Sequence, residues 1–222
     1  MTFQSTIEAV DLTNYTMNQL NSIFPDKNTI TFDLLHDYVV ETLKRVYNNF
    51  SHIKLKYYRD GDATLFNHLN GDHYCVYLYY LSNTLYRASC SDWLCSKVFL
   101  LNKLLHGIDA FYSLNLPEHF MVVHPLGTVL GNAKYGDYVV FYQGVTVGAS
   151  VEGIYPKFEG YNILYSNCAA IGKLKMGNNA IIASGVRVIN QDIPINMLAF
   201  TGSEGLVFKE NRKNIIKSIF EI

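Results

Sequence analysis

Counting by six recovers an order in the second half of this 222-residue chain that neither a helix nor an alternating strand would give. Val123, Val129, Tyr135, Phe141 and Val147 stand six apart, and Leu164, Ala170, Met176, Ile182 and Val188 resume the period after an interruption. Four places after the first four of these come Gly127, Ala133, Val139 and Val145, all small or β-branched. A six-residue repeat is the signature of a parallel β-helix, in which each repeat is a short strand and a turn, three make one triangular coil, and the leading aliphatics stack into a continuous interior. Gly131-Asn132 and Gly177-Asn178-Asn179 suit corners that need tight or left-handed backbone. A β-sandwich would need period two, which fails from Val129 to Val147.

The interruption separates Val147 from Leu164 by seventeen residues, and its "SVEGIYPKFEGY" is expected to leave the coil as a loop. Insertions in a solenoid tend to line its binding face. Before residue 120 the period changes: "STIEAVDLTNYTMNQLNSIF", "TITFDLLHDYVVETLKRVYNNF", "DHYCVYLYYLSNTLYRAS" and "SDWLCSKVFLLNKLLHGI" space their apolar residues three and four apart, as helices do. Thr31 or Asp33, and Ser91 or Asp92, are the expected helix starts. The predicted architecture is α+β: a helical domain over 1–108, a β-helix over 109–208 with a loop insertion at 150–161, and a helical tail over 209–222.

With 18 basic and 19 acidic residues and no basic stripe, the chain offers a phosphate backbone no electrostatic footprint, so nucleic acid is not expected as a partner. No segment reaches the roughly 20 apolar residues of a membrane span, and MTFQSTIEAVD lacks the character of a signal peptide, so a cytoplasmic location is expected. Cys75, Cys90, Cys95 and Cys168 form no CxxC pair and read as reduced thiols rather than disulfides or a structural zinc site. The tyrosines Tyr74, Tyr77, Tyr79, Tyr80 and Tyr86 read first as core and interface filling.

The stretches "VHPLGTVLG", "FYQGVTVGA" and "IYPKFEG" carry a family resemblance. They are similar to the D-H-x-x-G-x-V-x-G, L-Q-x-V-T-L-G-G and R-H-P-x-I-x-x-G motifs of the serine acetyltransferases, hexapeptide-repeat enzymes with an N-terminal helical domain and a left-handed β-helix. The resemblance implies acetyl-CoA as donor, His124 as general base, and Asp109, fifteen residues earlier, as its support. It also implies a trimer with active sites between adjacent β-helices, which the helical domains could pair into a dimer of trimers.

The chemistry fits those residues. Transfer from a thioester to a hydroxyl needs a base that removes the proton as the oxygen attacks, and imidazole, with an ordinary pKa of about 6.5, is matched to neutral pH. A carboxylate on its other ring nitrogen would fix the tautomer and steady the imidazolium. Gly148 and Ala149 could give a backbone N–H to the developing oxyanion. Lys173, Lys175, Arg187, Lys209, Arg212 and Lys213 are the candidate cations for the donor's phosphates. All seven histidines (His36, His52, His68, His73, His106, His119 and His124) lie at or before the first coil, so the coils cannot gather the three imidazoles of a β-helix zinc site, and no metal is expected.

The acceptor motifs depart from the family. Val123 replaces the aspartate before the histidine, and Ile154 and Tyr155 replace the Arg-His pair that grips the serine carboxylate. A sugar, nucleotide sugar or polysaccharide unit is therefore the expected acceptor, held by Tyr155, Lys157, Val123 and His119, with serine itself, or an amino group, as the alternatives.

Overall fold

The computed structural model describes all residues except 1, 204, 213 and 215; Lys213, one of the candidate cations, thus lies outside the described residues. The chain divides into two compact units, Met1–His106 with Phe111–Ser113, and Gly107–Ala110 with Leu114–Ile222.

The first unit holds α1 (Ala9–Ile23), α2 (Phe32–Phe50), α3 (Gly71–Arg87) and α4 (Asp92–His106). Thr31 caps α2, its hydroxyl accepting the Leu34 N–H, and the helix buries Leu35, Val39, Val46 and Phe50 at the three-four spacing that its sequence shows. Every residue of α3 from His73 to Leu85 is buried, so this helix is the centre of the unit's core. Its Tyr74, Tyr77, Tyr79 and Tyr80 are buried, and the Tyr74 hydroxyl donates to Gln19 Oε1 at 2.6 Å while Thr16 Oγ1 lies 3.1 Å from the Tyr77 hydroxyl. They fill the core, whereas Tyr86, near the end of the same helix, is exposed. The helical reading missed a small sheet, β1 (Phe3–Ser5), β2 (Arg59–Asp60) and β3 (Ala63–Phe66), in the order β1-β3-β2. Strands this short carry no readable period.

The second unit is a parallel β-helix of about five turns. Its first coil contains β4 (Asp109–Ala110) and β5 (Phe120–Val123), and the second β6 (Val129–Leu130) and β7 (Val139–Tyr142). The third runs through β8 (Thr146–Gly148), β9 (Lys157–Phe158) and β10 (Asn162–Leu164), and the fourth through β11 (Ala169–Ile171), β12 (Lys175–Met176) and β13 (Ile181–Ile182). The fifth has β14 (Arg187–Ile189) and β15 (Met197–Gly202). Stacked coils make three faces: β5, β7, β10, β13 and β15 form the first, β4, β6, β8, β11 and β14 the second, and β9 with β12 the third. β16 (Gly205–Glu210) extends the first face as an antiparallel hairpin partner of β15.

Register exposes two corrections to the counting by six. Val122, Phe141, Leu164, Ile182 and Ala199 are aligned across the first face, and Leu130, Val147, Ala170 and Val188 across the second, all buried. Val123 and Val129 are therefore one place out of phase, and Val129 is 43% exposed. The cause is the turn from 123 to 128: Val122 and Leu130 are eight apart where the later coils take six.

The interruption also does not leave the coil as a whole. Lys157 and Phe158 are β9, paired with Lys175 and Met176, and Phe158 is buried with its ring stacked 5.2 Å from that of Tyr135. Only the residues ahead of β9 project. Of the tail expected as helix over 209–222, a single helical turn forms, α5 (Ile216–Ile219), followed by the buried Phe220, whose ring lies 5.4 Å from that of Tyr138. The cysteines are free thiols, three of them buried. No helix among the described residues is long and apolar enough to cross a membrane.

Candidate active site

The expected site residues fall on three different edges of the β-helix. His124 follows β5 and precedes β6, at the edge between the first and second faces. Gly148 ends β8 and Ala149 follows it, at the edge between the second and third. His119 precedes β5, at the edge between the third and first.

The His124 edge is the most elaborated. His124 is exposed and has a left-handed backbone, φ 50°. That conformation marks a corner rather than a reactive centre, since Tyr138, Tyr161, Asn167 and Asn179 adopt it at other corners. What sets this turn apart is its anchoring. Gly127 N–H donates to Gly107 O at 3.0 Å, Asp109 N–H donates to Thr128 O at 2.8 Å, and Thr128 Oγ1 donates to Tyr142 O at 3.1 Å. The turn that carries His124 is thus tied to the strand that carries Asp109, and the structure brings these two residues to one edge. Val123, half-buried, pairs with Tyr142 on the same edge.

At the second edge, the projecting loop folds back on the coil. A Cβ on Gly131 would lie 2.5 Å from Tyr155 Cε1 and 2.6 Å from Val147 O, so the Tyr155 ring is seated where only glycine leaves room. Ser150 N–H donates to Ile154 O at 2.8 Å and closes the loop's neck. Lys157 belongs to the third face and not to the loop, a correction that follows from Phe158 entering the core. Within one chain this edge lies one strand of the second face and one coil away from His124, on the order of 15 Å at 3.3 Å per residue and 4.8 Å per coil.

His119 is likewise about 16 Å from His124, five residues of extended chain away. It is buried, its Nδ1 is 2.7 Å from Asp137 Oδ2, its own N–H donates to Asp137 Oδ1 at 2.7 Å, and its ring stacks on Tyr138 at 4.8 Å. Burial pushes the Asp137 carboxyl up, but the hydrogen bonds from His119 outweigh it and hold the group below its ordinary value. The expectation that His119 joins the acceptor cleft is therefore corrected: it is a corner strut. Asp137 escaped the sequence reading, although a separation of eighteen residues is one complete coil.

The candidate cations do not converge. Lys175 is on the third face and bonded to Glu159 at 2.6 Å, Arg187 is on the second face, Lys209 is on β16 beside the first, and Lys173 is at the turn between β11 and β12. Arg187 lines a groove of about 400 Å³ with Thr146, Ala169 and Ile189. Among the described residues no group of three His, Cys, Asp or Glu side chains could hold a metal ion.

No family model matches the chain. Over 98 residues it is 29% identical to a serine acetyltransferase of Synechococcus elongatus, a stretch covering 42% of this chain and 40% of the relative, so the match spans less than half of that protein's length. The fold matches the serine acetyltransferase of Vibrio cholerae with a TM-score of 0.68 at 17% identity, covering 91% of this chain and 79% of the other. It matches that of Neisseria gonorrhoeae with a TM-score of 0.68 at 18% identity, covering 93% and 81%. In fold, and over a local stretch of sequence, the chain is similar to serine acetyltransferases: an N-terminal helical unit followed by a left-handed β-helix of hexapeptide repeats.

Proposed function

We propose that this protein is an O-acetyltransferase that moves an acetyl group from acetyl-CoA to the hydroxyl of a small acceptor, with L-serine the acceptor best supported. The observation that carries this reading is the tie between the His124 turn and the Asp109 strand, Asp109 N–H to Thr128 O at 2.8 Å. One ring nitrogen of His124 takes the hydroxyl proton as the acceptor oxygen attacks the thioester carbonyl. Asp109 holds the other ring nitrogen and steadies the imidazolium. The tetrahedral oxyanion then collapses, the carbon–sulfur bond breaks, and the imidazolium returns its proton to the leaving thiolate, so that ester and free thiol are the products.

Gly148, Ala149 and Tyr155 are too far from His124 in their own chain to meet the same substrate. The second-third edge of a neighbouring copy therefore supplies them, which is the reason for proposing a cyclic trimer. Arg187 and the lysines, being on separate faces, serve the donor's phosphates singly. A carbohydrate acceptor drew its support from tyrosine content, and most of that content is the buried core of α3. The relatives named above as serine acetyltransferases favour serine instead.

The test is thiol release from acetyl-CoA with L-serine and a panel of sugars. Transfer to L-serine with the highest efficiency is the expected result, and no acetyl transfer to any acceptor overturns the reading.

A further inference from the structure

Resting on that reading, we infer that Lys134 and Lys157 form an acceptor subsite, a pair of ammonium groups that takes the carboxylate of the serine being acetylated. The two residues stand opposite each other in a parallel bridge on successive coils of the third face, about 4.8 Å apart. Both are exposed. Their side chains point outward, because successive residues of a strand alternate and the next ones, Tyr135 and Phe158, stack ring on ring at 5.2 Å with Phe158 in the core. The bridge lies where the projecting loop returns to the coil. Lys134 N–H donates to Pro156 O at 3.2 Å and Phe158 N–H donates to Lys134 O at 2.8 Å, so both lysines are fixed at the foot of the loop whose Tyr155 ring covers Gly131. They therefore adjoin the edge that holds Gly148 and Ala149, the one a neighbouring copy brings to His124.

Like charges directly opposite each other on a sheet repel. The column continues with Lys175 opposite Lys157, but there the charge is answered, since Lys175 Nζ bonds to Glu159 at 2.6 Å. Glu159 is thereby committed. Neither Lys134 nor Lys157 has a carboxylate within ion-pair distance among the described residues. The ladder thus balances its third lysine and leaves the first two facing each other, one anion short at the foot of the loop. A carboxylate fits that deficit, with one oxygen for each ammonium. A neutral sugar brings no charge, so the pair favours an acidic acceptor. The donor's phosphates are the other anions of the reaction, and the kinetics of the two substrates separate them.

The test compares L-serine with L-serinamide, in which a neutral amide replaces the carboxylate, using thiol release from acetyl-CoA by wild type, Lys134→Met, Lys157→Met and Lys134→Arg. The wild type is expected to favour L-serine by about tenfold or more in kcat/KM, the equivalent of one hydrogen bond to a charged group. Each methionine variant loses most of that preference through a raised KM for L-serine, with the KM for acetyl-CoA unchanged, and Lys134→Arg keeps it. Circular dichroism and sedimentation confirm that each variant is folded and assembled. An unchanged preference in either methionine variant, or a wild type without the preference, overturns the inference while leaving acetyl transfer standing. A raised KM for acetyl-CoA in place of L-serine also overturns it and assigns the pair to the donor's phosphates. If no acceptor is acetylated, the proposed function fails by itself. Calorimetric binding of L-serine then decides the role of the pair: binding lost in both methionine variants sustains it, and binding kept in either, or absent from the wild type, overturns it.

Discussion

Tyr155 and Gly131 meet face to face: the phenol ring of the loop residue occupies the space where a Cβ on Gly131 would stand, 2.5 Å from Cε1. Position 131 is closed from a second side by Val147 O at 2.6 Å. Gly131→Ala is therefore expected to destabilise the β-helix by about 1 to 3 kcal/mol and to unseat the loop, because overpacking here presses on backbone as well as on a ring. Thermal unfolding and limited proteolysis between residues 149 and 156 check this. Adding Tyr155→Ala relieves the ring clash only, so the rescue is partial; a variant as stable and as protease-resistant as wild type would refute the packing argument.

His73 makes the helical unit sensitive to acid. Its Nδ1 accepts the Asn67 N–H at 3.1 Å, its ring lies among Phe50, Tyr58 and Phe66, and burial lowers its pKa from 6.5 to about 4. The unfolded chain thus binds more protons than the folded one between these values, so stability rises with pH across that window. Linkage puts the loss on acidification at roughly 3 kcal/mol. Trp93, the one tryptophan, lies on α4 and reports unfolding of this unit. Urea midpoints at pH 7 and 4.5 should converge in His73→Phe relative to wild type; equal pH sensitivity in the two proteins would remove His73 from the account.

Much of this architecture was legible, and the gaps have physical causes. The six-residue period named the β-helix because one side chain per strand must enter a narrow interior. The same period mis-phased Val123 and Val129, because the His124 turn is two residues longer than the later corners. Phe158 was read as loop because one projecting segment displaced the count by five before the period resumed. His119 was singled out and Asp137 was not, although the eighteen residues between them are three six-residue repeats, one complete coil.

The His119–Asp137 pair leads to a prediction for the third-first edge. Asp137→Asn should lower the thermal midpoint of the β-helix and reduce its dependence on pH at the acidic end, since the carboxyl held below its ordinary value contributes stability that disappears as pH falls through its folded pKa. Acetyl transfer should persist, because this edge is about 16 Å from His124. A loss of activity in a folded Asp137→Asn protein would return His119 to the site.

Asp109→Asn should slow transfer less than loss of the base does. Without the carboxylate the imidazolium that forms during proton transfer is less stabilised, so kcat falls while the fold is kept. An unchanged kcat in the folded variant would make Asp109 a purely structural member of the second face.

The most direct measurement is acetyl-CoA-dependent acetylation by wild type and His124→Ala side by side, with assembly checked by sedimentation. The account predicts a fall of about 10²- to 10⁴-fold in the variant, with fold and oligomer intact, since an exposed corner histidine contributes proton transfer rather than packing. Wild-type turnover in folded His124→Ala would contradict it.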